Sequence, residues 1–272
     1  MTEPVVEIAN GIATITLNRP KTFNALTSAD YDGLANALRK IDKDDDVVAT
    51  IWQAYGEWFC SGTDVQASKA ILTTSSADRA TVRGSFLSRV AHTTTDCGQA
   101  LASHRKILVA ALNGPVMGIA AAFLGHFDFV YSMPNAWLST PFTFLGIVAE
   151  GGASANFVNR MGIAKANESL IFGQRMGAQE LLDCGFINKI FPLQSTDAFH
   201  KTIQKHLMEQ LSGLDPEAVL GVKKLLQATL RDRGDPDAVN FRESYAQAER
   251  FASGVPGVRF RKIAAKEIRH KL

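Results

Sequence analysis

Two short apolar runs, each breaking into a turn of small residues, constrain this chain most. Val47–Trp52 leads to Trp58-Phe59-Cys60-Ser61-Gly62-Thr63-Asp64, and Ile107–Leu112 leads to Asn113-Gly114-Pro115-Val116-Met117-Gly118-Ile119. Apolar runs of this length suit strands buried on both faces, as in a parallel sheet covered by helices. Such a sheet sets both turns at its carboxyl edge, where open α/β sheets bind ligands. Turns of this kind can point successive N–H groups at one oxygen. The small-residue segment after Gly118 predicts a helix whose first N–H groups lack internal partners. The pattern suits a site for a developing oxyanion. Glycines after strands also serve purely structural turns, and spacing alone leaves both readings open.

The rest of the pattern fills in around these turns. Residues 5 to 17 alternate about Asn10-Gly11, a hairpin signal. Thr27 with Asp30 resembles a capping box, and Leu34, Leu38 and Ile41 share one helical face. Residues 66–105 carry no motif; Phe86, Val90, Cys97 and Leu101 mark the inner side of long helices there. Phe127–Tyr131, Ala136–Ser139 and Phe186–Ile190 read as further strands. After Pro192 the pattern is helical, with Phe199, Ile203 and Leu207 on one stripe. Val219, Val222, Leu225, Leu226 and Leu230 form the expected buried side of the next helix, opened by Asp215-Pro216. The reading is α/β, with a core over 1–192 and a helical region over 193–272.

Composition removes several alternatives. The chain has 272 residues, 46% of them hydrophobic, which supports a large core. Its 29 basic and 27 acidic residues are mixed along the sequence without a basic stripe, so no nucleic-acid partner is expected. Three cysteines, without a CxxC spacing, do not make a disulfide framework, and six histidines without HExxH suggest no metal. The short acidic start is not read as a signal peptide, and no uncharged apolar run is long enough to suggest a membrane span. The last residues, His270-Lys271-Leu272, match a peroxisomal Ser-Lys-Leu address at two positions.

A third segment, Leu145-Gly146-Ile147-Val148-Ala149-Glu150-Gly151-Gly152, sets one carboxylate in an apolar, glycine-bearing turn ahead of a helix. A buried carboxylate costs free energy unless something satisfies or uses it. Glu150 is read either as a functional base or as an N-terminal helix cap.

These segments, in this order, resemble the crotonase (enoyl-CoA hydratase/isomerase) superfamily. Asn18-Arg19-Pro20 and Asn24-Ala25-Leu26 are similar to its N-terminal signature, and Phe59–Asp64 and Asn113–Ala120 to its two oxyanion-hole loops. Phe127–Tyr131 is similar to the strand that follows. The resemblance implies a spiral of ββα units with a helical C-terminal region. It also implies a homotrimer or hexamer, and an acyl-CoA thioester substrate that brings coenzyme A with it, so no separate cofactor. By the same matching, the backbone N–H groups of Thr63 and Ile119, the latter after Gly118, would receive the oxyanion. Ala25, Leu26, Ser61, Gly62, Asp64, Val65 and Gly118 would contact the substrate and its CoA moiety, with Phe260 and Lys262 of the C-terminal helix helping. Phe142 and Phe144 would line the acyl tunnel or serve as core.

The departures from the family pattern matter as much. Hydratases carry two glutamates; the matching positions here are Ala122 and Phe142. Adding water needs a base and an acid around it, so hydration is not expected. Glu150 instead matches the single glutamate of peroxisomal, fungal-type Δ3,Δ2-enoyl-CoA isomerases. The leading expectation is therefore a Δ3,Δ2 shift, with Glu150 moving a proton from C2 to C4. A dienoyl-CoA isomerase or a specialised-pathway enzyme is the second reading, and a non-catalytic acyl-CoA binder the third. With an acyl-CoA isomerase, the C-terminal tripeptide implies a peroxisomal import receptor as partner; the cytoplasm is the alternative location.

Overall fold

The computed structural model describes residues 5–64 and 78–270. Val65, named above for CoA, residues 66–77 and the terminal Lys271-Leu272 lie outside the described residues. Asn10 (φ 53°) and Gly11 (φ 74°) make the tight turn that pairs β1 (Val5–Ala9) antiparallel with β2 (Ile12–Leu17). Every later pairing in this six-stranded sheet is parallel: β3 (Ala49–Ala54), β4 (Ile107–Leu112), β6 (Phe129–Ser132) and β9 (Lys189–Ile190), in the order β1-β2-β3-β4-β6-β9. A smaller sheet joins β5 (Val116–Met117), β7 (Trp137–Ser139) and β8 (Met176–Gly177). The run expected over Ala136–Ser139 thus belongs to this second sheet.

Helices cover both faces of the main sheet. The helices of the described residues are α1 (Ser28–Asp42), α2 (Arg79–Ser85), α3 (Asp96–Ser103), α4 (Ile119–Phe123), α5 (Phe142–Leu145), α6 (Ala153–Phe172), α7 (Ala178–Asp183), α8 (Thr196–Leu211), α9 (Pro216–Arg233), α10 (Pro236–Ala252) and α11 (Val255–Ala264). A π-helical stretch, Phe86–Thr95, joins α2 to α3. Side chains alternate along β4 because the strand period is two residues. Leu108, Ala110 and Leu112 enter one core with Leu38, Leu101, Phe123 and Phe157, while Ile107, Val109 and Ala111 enter the other with Phe199, Ile203 and Leu207 of α8. The capping box before α1 is formed: Thr27 N–H donates to Asp30 Oδ2 at 2.7 Å and Asp30 N–H to Thr27 Oγ1 at 3.4 Å. The helix that follows Gly152 breaks at Gly162 (φ 75°, ψ 162°) and resumes to Phe172.

One expectation is reversed. Val222, Leu225, Leu226 and Leu230 of α9 are exposed, and Val219 is only half-buried. The buried residue of α9 is Lys223, whose Nζ donates to Asp128 Oδ2 at 2.7 Å and also to the Lys106 carbonyl. Periodicity shows that a helix has an apolar face; it does not say that this chain covers it. Asp128 also accepts from Leu108 N–H at 2.6 Å.

Candidate active site

The two glycine turns interlock at the carboxyl edge of β3 and β4. Cys60 bridges Val116 in parallel, and Met117 N–H donates to the Cys60 carbonyl at 2.9 Å. The first turn is also stitched to the segment after β2. Ser61 N–H donates to Phe23 O (3.0 Å), Leu26 N–H to Gly62 O (2.7 Å) and Asp64 N–H to Leu26 O (2.8 Å). Gly62 has φ +90° and Gly118 φ +62°, a region that side-chain-bearing residues rarely adopt. A Cβ on Gly62 would stand 3.0 Å from Met117 O. Each of these glycines immediately precedes a predicted donor. Among the described residues, neither Thr63 N–H nor Ile119 N–H makes a hydrogen bond. For Ile119 the reason is local: it is the first residue of α4, where the helix supplies no acceptor.

Tyr31, on the buried face of α1, links this cradle to the carboxylate. Its hydroxyl lies 2.6 Å from Thr63 Oγ1, and its ring meets Phe123 of α4 edge-on, with centroids 6.4 Å apart. Burial raises the Tyr31 pKa well above its ordinary value, and the nearby Glu150 charge raises it further. The Glu150 turn itself lies on α4. A Cβ on Gly151 would be 2.8 Å from Ile119 Cδ1 and 3.0 Å from Phe123 Cε1. Thr63, Tyr31, Ile119 and Glu150 therefore form one cluster.

The Glu150 side chain is buried rather than turned to solvent, and its Oε2 accepts from Gln247 Nε2 at 2.8 Å. Burial pushes its pKa up to about 8; the Gln247 hydrogen bond opposes this, and the charge of Glu243 adds to it. The alternative reading of Glu150 as a helix cap does not hold. The carboxylate at the start of α6 is Glu243 of α10, whose Oε2 accepts from Gly152 N–H (2.6 Å) and Oε1 from Ser154 N–H (2.8 Å). His126 braces the same turn, with Nε2 2.8 Å from Gly151 O. Burial lowers the pKa of this imidazole to about 4, so the neutral ring donates Nε2–H.

The other predicted residues are spread more widely. Ala25 and Leu26 flank the first loop, and Phe142 is packed in the main core at 1% exposure. Phe260 and Lys262 lie on α11, which packs against α5; Lys262 is exposed. Ala122 is fully buried in α4. Sequence reasoning missed Tyr31, Gln247, Glu243 and His126. The one available signal was helical spacing: Glu243 and Gln247 fall on the same face of α10 as Val239, Ala248 and Ala252, all buried.

Residues 7–251 match the model of a family described as enoyl-CoA hydratase/isomerase. A Delta(3,5)-Delta(2,4)-dienoyl-CoA isomerase of Pyricularia oryzae is 37% identical, with 98% of each chain covered. A 3,2-trans-enoyl-CoA isomerase of Saccharomyces cerevisiae is 30% identical over 95% of this chain and 92% of its own. A peroxisomal enoyl-CoA delta isomerase 3 of Mus musculus is also 30% identical, over 96% of this chain and 80% of its own. The crystal structure of an enoyl-CoA hydratase/isomerase from Pseudoalteromonas atlantica superposes with a TM-score of 0.83 at 26% identity, each chain covered completely. The α/β architecture with its helical C-terminal region is that of the crotonase fold, and the chain belongs to the enoyl-CoA hydratase/isomerase family.

Proposed function

We propose that this enzyme moves the double bonds of a 3,5-dienoyl-CoA into the 2,4 positions. The single observation that carries the reaction class is a buried carboxylate, Glu150, clustered with two glycine-led N–H groups, while Ala122 and Phe142 stand where hydratases carry glutamates. In this reading Glu150 removes a proton from C2. Negative charge then builds on the thioester oxygen, where Thr63 N–H and Ile119 N–H receive it. The electron pair shifts along the chain, and protonated Glu150 returns a proton at C6, which regenerates its carboxylate. The dienoyl substrate is preferred over the Δ3,Δ2 shift expected from sequence because the full-length likeness at 37% identity is to a dienoyl-CoA isomerase, against 30% for the two enoyl-CoA isomerases.

The Δ3,Δ2 shift stays as the second reading for one structural reason. Glu243, the neighbouring carboxylate, has both oxygens engaged by backbone N–H groups, so Glu150 is the carboxylate left to move protons. One glutamate suits a C2-to-C4 transfer. The chain is an enzyme of the isomerase kind acting on enoyl-CoA or dienoyl-CoA thioesters, and the non-catalytic reading is set aside.

A panel of 3,5-dienoyl-CoA and 3-enoyl-CoA substrates in D2O separates the two reactions. We expect the higher kcat/KM with the dienoyl substrate and deuterium at C6; a higher value with 3-enoyl-CoA and label at C4 would overturn the assignment. The panel is run on the assembly formed in solution. The exposed apolar face of α9 supports a homotrimer or a pair of trimers, and the mass should be that of three or six chains. A peroxisomal location is supported by the His270-Lys271-Leu272 terminus and by likeness to the peroxisomal mouse isomerase. A fluorescent protein fused before residue 1 should collect in peroxisomes, and removal of the last three residues should disperse it. Unchanged location after that removal excludes import through the tripeptide.

A further inference from the structure

The buried side of α10 is polar where an amphipathic helix would be apolar. Asn240, Glu243, Ser244 and Gln247 share one face and are all buried. A buried polar stripe destabilises a fold unless it is satisfied; each of these side chains makes at least one hydrogen bond, although Asn240 Oδ1 is buried without a partner among the described residues. Asn240 Nδ2 donates to Thr95 O at 2.7 Å, and Ser244 Oγ pairs with Thr95 Oγ1 at 2.7 Å. These contacts tie α10 to the π-helical stretch. Further along the stripe, Glu243 holds Gly152 and Ser154 N–H, and Gln247 meets Glu150. Gln247 cannot turn over without losing bonds: its Oε1 accepts from Val148 N–H at 3.2 Å, which leaves Nε2 to face the carboxylate.

We propose that Gln247 and Glu243 are positioning residues for Glu150: Gln247 fixes the orientation of its carboxylate, and Glu243 holds a second acidic group beside it at the start of α6. The proposal rests on the reading of Glu150 as the base. The anchor for Glu243 is a helix N-terminus, whose orphan N–H groups and dipole favour a carboxylate there. Burial raises the Glu243 pKa, and the Ser154 and Gly152 contacts oppose that rise. Other groups bear on the Glu150 turn from several sides. Tyr31 approaches from α1, neutral His126 holds Gly151 O, and Arg250 of α10 donates to Gly146 O at 2.8 Å. Glu150 and Glu243 therefore titrate as neighbours, and a change at one is felt at the other.

Two near-isosteric substitutions act in opposite directions. Glu243→Gln removes the second acidic group and should lower the pH midpoint of kcat by about half a unit or more. Gln247→Glu keeps the acceptor for Val148 N–H, adds a carboxyl beside Glu150, and should raise the midpoint by a similar amount. A structural defect alone would not move the midpoint in opposite senses. Because Glu243→Gln can weaken the α6 cap, the Glu150 carboxyl is also titrated directly by 13C NMR in each folded variant and in the wild type. Coincident Glu150 titrations in all three proteins would overturn the positioning roles. Retained turnover in Glu150→Gln would overturn the base assignment instead, and the NMR titration would still decide whether α10 sets the proton affinity of Glu150.

Discussion

Glu150→Gln should lower kcat by about 10²–10⁴-fold, the range typical of a lost general base, while making the protein more stable at alkaline pH. The two effects share one cause. Burial in the turn before α6 holds the Glu150 pKa at about 8, against an ordinary value of 4.5. Between those values the folded chain binds a proton that the unfolded chain has released. Stability therefore falls as pH rises from 4.5 to about 8, and the cost is complete once the folded carboxyl ionises. Turnover follows the opposite course, because the base form appears only as pH rises through about 8. Glutamine keeps the shape and an acceptor for Gln247 but never ionises. The stability difference should be on the order of a few kcal/mol above pH 8 and vanish below pH 4.5. Denaturant midpoints at several pH values, measured beside kcat, check both parts. An active variant would remove Glu150 from the mechanism, whereas parallel stability curves would show that its carboxyl is not held protonated.

Gly118→Ala should cost about 10²–10³-fold in kcat, the loss seen when an oxyanion donor is removed, with a smaller change in the affinity for CoA thioesters. Gly118 sits at φ +62° and ψ −132°, outside the regions open to alanine. To accept a Cβ the turn must rotate, and Ile119 N–H, the next donor along the chain, rotates with it. Gly62→Ala approaches the same cradle from the other loop, since its Cβ would press on Met117 O at 3.0 Å. Both variants are compared with wild type by turnover, thioester binding and circular dichroism. Full turnover in a correctly folded Gly118→Ala protein would mean that Ile119 N–H does not receive the charge.

Local rules made much of the fold legible. Asn10-Gly11 announces its hairpin, Thr27 and Asp30 their capping box, and the apolar runs over β3 and β4 their burial on both faces. In each case the deciding contacts lie within a few residues, or follow from the period of the strand. The same locality explains the misreading of α9. Val222, Leu225, Leu226 and Leu230 repeat like a buried face, but what covers a helix is set by distant chain, and here Lys223 turns inward to Asp128.

The site divides in the same way. Gly62-Thr63, Gly118-Ile119 and Glu150 stand out in the sequence because a positive-φ glycine, a helix start and a carboxylate among apolar residues are local statements. The roles of Gln247 and Glu243 are not. They lie 97 and 91 residues from Glu150 and Gly152, the groups they contact, on a helix where a glutamate and a glutamine look like ordinary solvent-facing residues. Sequence by itself nominated the chemistry on offer: two backbone donors and one carboxylate, with neither hydratase glutamate in place. Tertiary structure decided how strongly that carboxylate holds its proton, because burial and the nearness of α10 are properties of packing between segments far apart in the chain.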